Sequence, residues 1–109
     1  MQDKVLSMVG LATRAGKTVS GEFMVLKAIK EKSAYLVIVA NDASPGTKKQ
    51  FNDKCSFYKV PIYSYGLKDD LGHSMGKAFR AALAVTDSDF SNAIIKLLNE
   101  NASDDLGGF

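Results

Sequence analysis

Residues 17–42 read KTVSGEFMVLKAIKEKSAYLVIVAND. The stretch predicts a brief strand at Thr18-Val19-Ser20, a tight turn at Gly21, a basic helix to about Lys32, and an apolar strand that stops at Asn41-Asp42. Within the helix, Phe23, Lys27 and Lys30 fall at i, i+4 and i+7, so an aromatic ring and two ammonium groups share one face. Val25, Ala28 and Ile29, with Leu26 beside them, form the opposite, core-facing side. Leu36 to Ala40 is apolar at every position and rich in β-branched residues, which predicts a central strand covered by helices on both faces. A helix N-terminus with cations and an aromatic behind it suits the reading of phosphates and bases. It offers little for catalysis.

Outward from this stretch, strand and helix signals keep alternating. Val5, Met8, Val9 and Ala12 lie at helical spacing within Gln2–Ala15, and Gly16 supplies a C-terminal stop. Ser44-Pro45 gives an N-cap with proline at the first helical position, opening a mostly polar helix to about Cys55 whose inward stripe is Phe51 and Cys55. Val60–Tyr65 reads as a strand, and Pro61 places it at an edge. Lys68-Asp69-Asp70 opens a short helix carrying Leu71 and Met75, closed by Gly76. Phe79–Val85 reads as a small-residue strand. Asp87 caps a last helix with Phe90, Ala93, Ile94 and Leu97 as its inner stripe. Residues 101–109, with Asp104-Asp105 and Gly107-Gly108, lack periodicity and are expected to form a disordered tail. The pattern predicts the α/β class, a three-layer α/β/α sandwich in one domain over residues 1–100.

The composition fits that size. A chain of 109 residues with 46% apolar and 24% charged residues is long enough for one modest core. No apolar run approaches the roughly 18 residues of a membrane span, and no secretory signal is visible, so a cytoplasmic protein without a membrane partner is expected. The single Cys55 cannot form an internal disulfide and reads as a buried small hydrophobe. Net charge is +2, but residues 1–60 carry ten Lys/Arg against five Asp/Glu, whereas residues 61–109 carry four against seven. That imbalance points the first half toward an anionic partner, although lysines also simply solvate helix faces.

Enzymatic constellations are poorly served. Gly10-Leu11-Ala12-Thr13-Arg14-Ala15-Gly16-Lys17-Thr18 imitates a phosphate-binding loop, but its glycines stand six apart where that motif needs five, and it closes a helix instead of opening one. One histidine and one cysteine cannot build a Cys/His zinc cluster. His73 has Asp70 and Ser74 only as neighbours on the same short helix, without the convergence from separate elements that a triad needs. Asp69-Asp70 at a first turn fits the helix dipole better than a metal. The reading is therefore non-enzymatic, with no cofactor, no metal and no small-molecule substrate.

Binding chemistry has better material. Lys17, Gly21, Lys27 and Lys30 are expected to cluster where the first strand meets the second helix. Tyr65, Gly66, Leu67 and Gly72 make the connection from Ser64 to Gly72 both apolar and flexible. In a parallel α/β arrangement both junctions lie at one end of the sheet. Charge beside flat or greasy side chains suits RNA with unstacked or sharply bent nucleotides. Phe23 has two readings, a base-stacking ring or a ring packed at the core margin.

Gly21-Glu22, Lys27-Ala28-Ile29-Lys30, Leu36 through Ser44, and Leu71-Gly72-His73-Ser74-Met75-Gly76-Lys77 together resemble the L7Ae-like ribosomal-protein family of kink-turn RNA binders. Leu11 through Lys17 is shared with its small bacterial YlxQ-like branch. The resemblance covers roughly residues 2 to 98. It implies an α/β/α sandwich around a four-stranded mixed sheet, and RNA held by the N-terminus of the second helix and the loop before the Leu-Gly helix. By position the contacts would be Gly21, Glu22, Phe23, Met24 and Lys27 from the helix, and the stretch Tyr65 to Leu71, Leu67 within it, with Gly72 from the loop. Many kink-turn binders carry Asn-Glu where this chain has Phe23-Met24. Neither replacement hydrogen-bonds to the edges of sheared G·A pairs, so a weaker or altered RNA preference is expected. The expected function is a monomeric, non-enzymatic RNA-binding protein, ribosome-associated or bound to a structured, kink-turn-like RNA. The alternative is a protein-interaction module presenting Phe23 and Met24 to a partner.

Overall fold

The computed structural model describes residues 3–107, with their side chains through Glu100. Helix α1 spans Lys4–Arg14 and is capped by Asp3, whose carboxylate accepts from the Leu6 amide at 3.0 Å. Strand β1 (Thr18–Ser20) follows, then α2 (Glu22–Lys30), β2 (Leu36–Val39), α3 (Pro45–Tyr58), β3 (Ile62–Ser64), α4 (Lys68–Ser74), β4 (Ala82–Val85) and α5 (Ser88–Gly107).

The sheet order is β1-β4-β2-β3. β4 is antiparallel to both β1 and β2, and β2 is parallel to β3. β1, β2 and β3 therefore all point the same way, with β4 reversed between them. Ser20 pairs with Leu83, and Val39 pairs with both Ala82 and Ser64. β2 and β4 are buried at every position, as expected for interior strands covered on both faces. α2 and α3 pack on each other on one face, while α1, α4 and α5 pack together on the other. The result is the expected α/β/α sandwich with a mixed four-stranded sheet.

The core lies between these layers. Val25 and Ile29 come from α2, Phe51 and Cys55 from α3, Val5 and Val9 from α1, and Ile94 from α5, all at 1% exposure or less. Burying each of the larger apolar side chains contributes about 1.5–3 kcal/mol. Cys55 is a buried free thiol, as its spacing from Phe51 predicts.

Two segments differ from the sequence expectation. Strand β4 begins at Ala82, not Phe79: residues 77–81 form a loop, and the Arg80 amide donates to the Lys68 carbonyl at 3.0 Å instead of to a neighbouring strand. In α5 the fully buried stripe is Ser91, Ile94 and Leu98, with Phe90, Ala93 and Leu97 flanking it half-buried. The Asp87 cap is present, accepting from the Phe90 amide at 2.9 Å. The backbone of α5 keeps helical geometry through residue 107, beyond the end that apolar periodicity indicates. Extending an existing helix avoids a new nucleation step. Of the tail expected over residues 101–109, residues 108 and 109 and the side chains from residue 101 lie outside what is described.

Candidate nucleic-acid interface

Because β1, β2 and β3 are co-directional, their C-terminal ends share one edge of the sheet with the loop that enters β4. Four connections converge there: Gly21, residues 40–44, residues 65–67 and residues 77–81. Backbone hydrogen bonds bind them together. The Ala40 amide donates to the Ala81 carbonyl at 2.8 Å, Asn41 to Gly66 at 2.7 Å, and Gly21 to Ala82 at 3.3 Å. The Lys68 amide donates to Asp42 Oδ1 at 2.8 Å, which caps α4 from the neighbouring connection. The Arg80 guanidinium is used internally: Nε donates to Ser20 Oγ at 3.1 Å, and Nη1 donates to the carbonyls of Ala78 and Phe79. Gly72 makes the close approach possible. It is buried, and a Cβ there would fall 2.7 Å from Phe79 Cα and 2.6 Å from the Ala78 carbonyl carbon.

The N-terminus of α2 opens onto this edge without a side-chain cap. Gly21 sits at φ 89°, ψ 151°, a conformation that side-chain-bearing residues rarely adopt. The other helix starts in the sandwich are occupied, α1 by Asp3, α3 by Ser44, α5 by Asp87 and α4 by Asp42. Open amide donors at the positive end of a helix favour an anion.

Around that opening the edge displays apolar surface. Phe23 is 77% exposed, Phe79 62%, Leu67 51% and Met24 42%. Lys68 Nζ lies 5.7 Å from the Phe79 ring centroid, close enough for cation–π attraction. The nearby acids are turned to structural work: Asp70 Oδ2 accepts from the Leu67 amide at 2.9 Å, and Glu22 accepts from the Thr47 hydroxyl at 3.5 Å.

Of the residues expected to contact a ligand, Gly21, Glu22, Phe23, Met24 and Leu67 stand together at this edge, with exposed Lys27 one turn along α2. Lys17 and Lys30 do not join them. Lys17 precedes β1 and its carbonyl accepts from the Thr86 amide, at the opposite edge of the sheet. Lys30 ends α2, roughly 12 Å from its first residue. The expected cluster of Lys17, Gly21, Lys27 and Lys30 is thus divided between the two edges. Tyr65 is half-buried, its hydroxyl donating to Asp3 Oδ2 at 2.7 Å. Leu71 is fully buried, and Gly72 lies beneath the 78–79 backbone, so both support the edge from below. Lys68 falls inside the expected contact stretch Tyr65 to Leu71; Phe79 lies outside it, because the sequence reads it as the first residue of a strand. Gly10, part of the loop-like decoy, is a buried glycine inside α1 whose added Cβ would meet the Ser74 carbonyl oxygen at 3.1 Å.

The family model for the ribosomal protein L7Ae/L30e/S12e/Gadd45 family matches residues 3–95. This chain belongs to that family. The RNA-binding protein YlxQ of Bacillus subtilis is 47% identical over 92 residues, covering 84% of this chain and 92% of the relative. The protein of that name from Enterococcus faecium is 35% identical over 97 residues, covering 89% and 93%. The 15.5kD RNA binding protein of Giardia lamblia superposes with a TM-score of 0.77 over 92% of this chain and 89% of that one, at 20% identity, a likeness of fold. Among the described residues no helix is long and apolar enough to cross a membrane.

Proposed function

We propose that this chain is a non-catalytic RNA-binding protein that holds a structured, kink-turn-like RNA at the edge of its sheet, working as a cytoplasmic monomer in association with the ribosome. The observation that carries the reading is the uncapped N-terminus of α2, set among Phe23, Met24, Leu67 and Phe79. The open amides and Lys27 take phosphate oxygens, and the exposed rings and aliphatic groups take nucleobases freed from stacking by a sharp bend. Membership in a ribosomal-protein family and similarity to proteins named as RNA-binding support the class of ligand. Phe23 and Met24 replace hydrogen bonding to base edges with contact to base faces, so RNA shape counts for more than the identity of the bases at the bend.

Lys27 supplies the test. Lys27→Ala is expected to weaken RNA binding and to lower the slope of log affinity against log salt by roughly 0.9 on duplex-like backbone, or 0.7 on a single strand. Fluorescence anisotropy at several salt concentrations reads both. An unchanged slope would remove Lys27, and with it the α2 terminus, from the interface.

A further inference from the structure

The loop that enters β4 is held at its ends by backbone and in its middle by one side chain. The Lys77 amide donates to the Gly72 carbonyl at 2.9 Å, and the Ala40 amide donates to the Ala81 carbonyl at 2.8 Å. Between these ties, among the described residues, the carbonyls of Ala78 and Phe79 accept only from Arg80 Nη1, at 3.2 and 3.0 Å. The same guanidinium reaches out of the loop, its Nε donating to Ser20 Oγ at 3.1 Å. Ser20 ends β1, and Gly21 beside it is the N-cap of α2. One group therefore joins the peptides that carry Phe79 to the strand that delivers the open helix terminus. A guanidinium is planar and rigid, so fixing Nε on Ser20 also fixes the direction in which Nη1 points.

Among the described residues Arg80 forms no ion pair, and its three acceptors are all neutral oxygens. What these charge-assisted hydrogen bonds fix is geometry. The Phe79 ring depends on that geometry, because little else holds it. It is 62% exposed and meets the flexible Lys68 ammonium at 5.7 Å, and Gly72 supports the backbone beneath it but not the ring. We propose that Ser20 and Arg80 form a clamp that sets the position of Phe79 relative to the N-terminus of α2. The clamp thereby fixes the spacing between the group that takes a nucleobase and the amides that take a phosphate. Ser20 and Arg80 are positioning residues in this role, and neither needs to touch the ligand. The RNA they favour is one whose bend brings a phosphate and an unstacked base to that set separation, since a pre-formed site loses less on binding. A straight duplex offers no unstacked base and gains nothing from the clamp. The inference rests on the reading of the sheet edge as an RNA site.

Ser20→Ala removes the anchor of the clamp and no charge. Affinity for a kink-turn RNA is expected to fall about five- to ten-fold, as the fraction of molecules with the loop in place falls. Affinity for a matched straight duplex, and the slope of log affinity against log salt, should stay as in the wild type. Ser20→Thr keeps the hydroxyl and should restore kink-turn binding. Arg80→Lys keeps the charge but lacks the fork, so it should lose at least as much, and adding Ser20→Ala to it should cost nothing further. The loop can also be read without RNA. The chain has no tryptophan, so Phe79→Trp is a single reporter whose fluorescence anisotropy should drop when Ser20→Ala is added. A cooperative thermal transition confirms that each variant is folded. Kink-turn affinity and reporter anisotropy both unchanged by Ser20→Ala would overturn the clamp and leave the sheet-edge site intact. An equal loss on kink-turn and duplex would overturn it too, since that marks general damage to the surface. Failure of the wild type to bind either RNA would remove the sheet-edge reading and the role of the clamp with it.

Discussion

Gly72 shows how a residue with no side chain shapes a binding surface. Its missing Cβ is the space that the 78–79 backbone occupies. Gly72→Ala must push that loop away from α4, so we expect a loss of about 1–3 kcal/mol or more in urea unfolding. Phe79 should shift with the loop and RNA affinity should fall in step. Cys55 gives a separate check on the core. Burial raises its thiol to about 11 from an ordinary 9.0. The unfolded chain then releases this proton at lower pH than the folded one. The stabilisation is complete below pH 9 and is lost as pH rises from 9 through 11. Urea midpoints at pH 8 and 10.5 should fall further for wild type than for Cys55→Ala, and an equal fall would refute burial as the cause. The apolar pairing of Phe51 and Cys55 was legible in the sequence, since one helical spacing fixes it. The roles of Leu71 and Gly72 were not: a Leu-Gly pair at a helix start looks the same whether it meets a ligand or lies beneath the surface that does.

The helix starts were the most legible elements, because capping chemistry is local. Ser44-Pro45 places the start of α3 without any tertiary information, and the Ser44 hydroxyl accepts from the Thr47 amide at 3.2 Å. Ser44→Ala should cost about 1 kcal/mol in chemical denaturation. No loss would mean that Asn41-Asp42 or solvent already satisfies that end. Strand β4 was less legible at its start. Ala78 to Ala82 offers almost no side-chain periodicity, and only the Arg80–Lys68 backbone bond separates loop from strand. In α5, Ser91 is a buried polar residue inside an apolar stripe, which a reading of hydrophobic spacing passes over. That reading centred the stripe one residue away.

Across the whole molecule, strand direction decides which residues meet. Sequence order placed Lys17 beside Gly21, yet β1 carries them to opposite edges of the sheet. The pairing of β4 with both β1 and β2, together with that of β2 with β3, shows that three strand ends and the β4 entry loop share one edge. The excess of cations in the first half of the chain becomes a basic α2–α3 layer, while α5 on the other face carries Asp89 and Glu100 against Lys96. A layered charge of this kind steers a polyanion to one side, and its pull weakens as salt rises. Whether the sheet edge holds a bent RNA is tested by titrating the purified protein against a kink-turn RNA and a matched straight duplex at two salt concentrations. Tighter binding to the kink-turn is expected at both, with residual duplex binding that fades at the higher salt. Equal binding to the two RNAs, or none to either, would contradict a bent RNA at that edge.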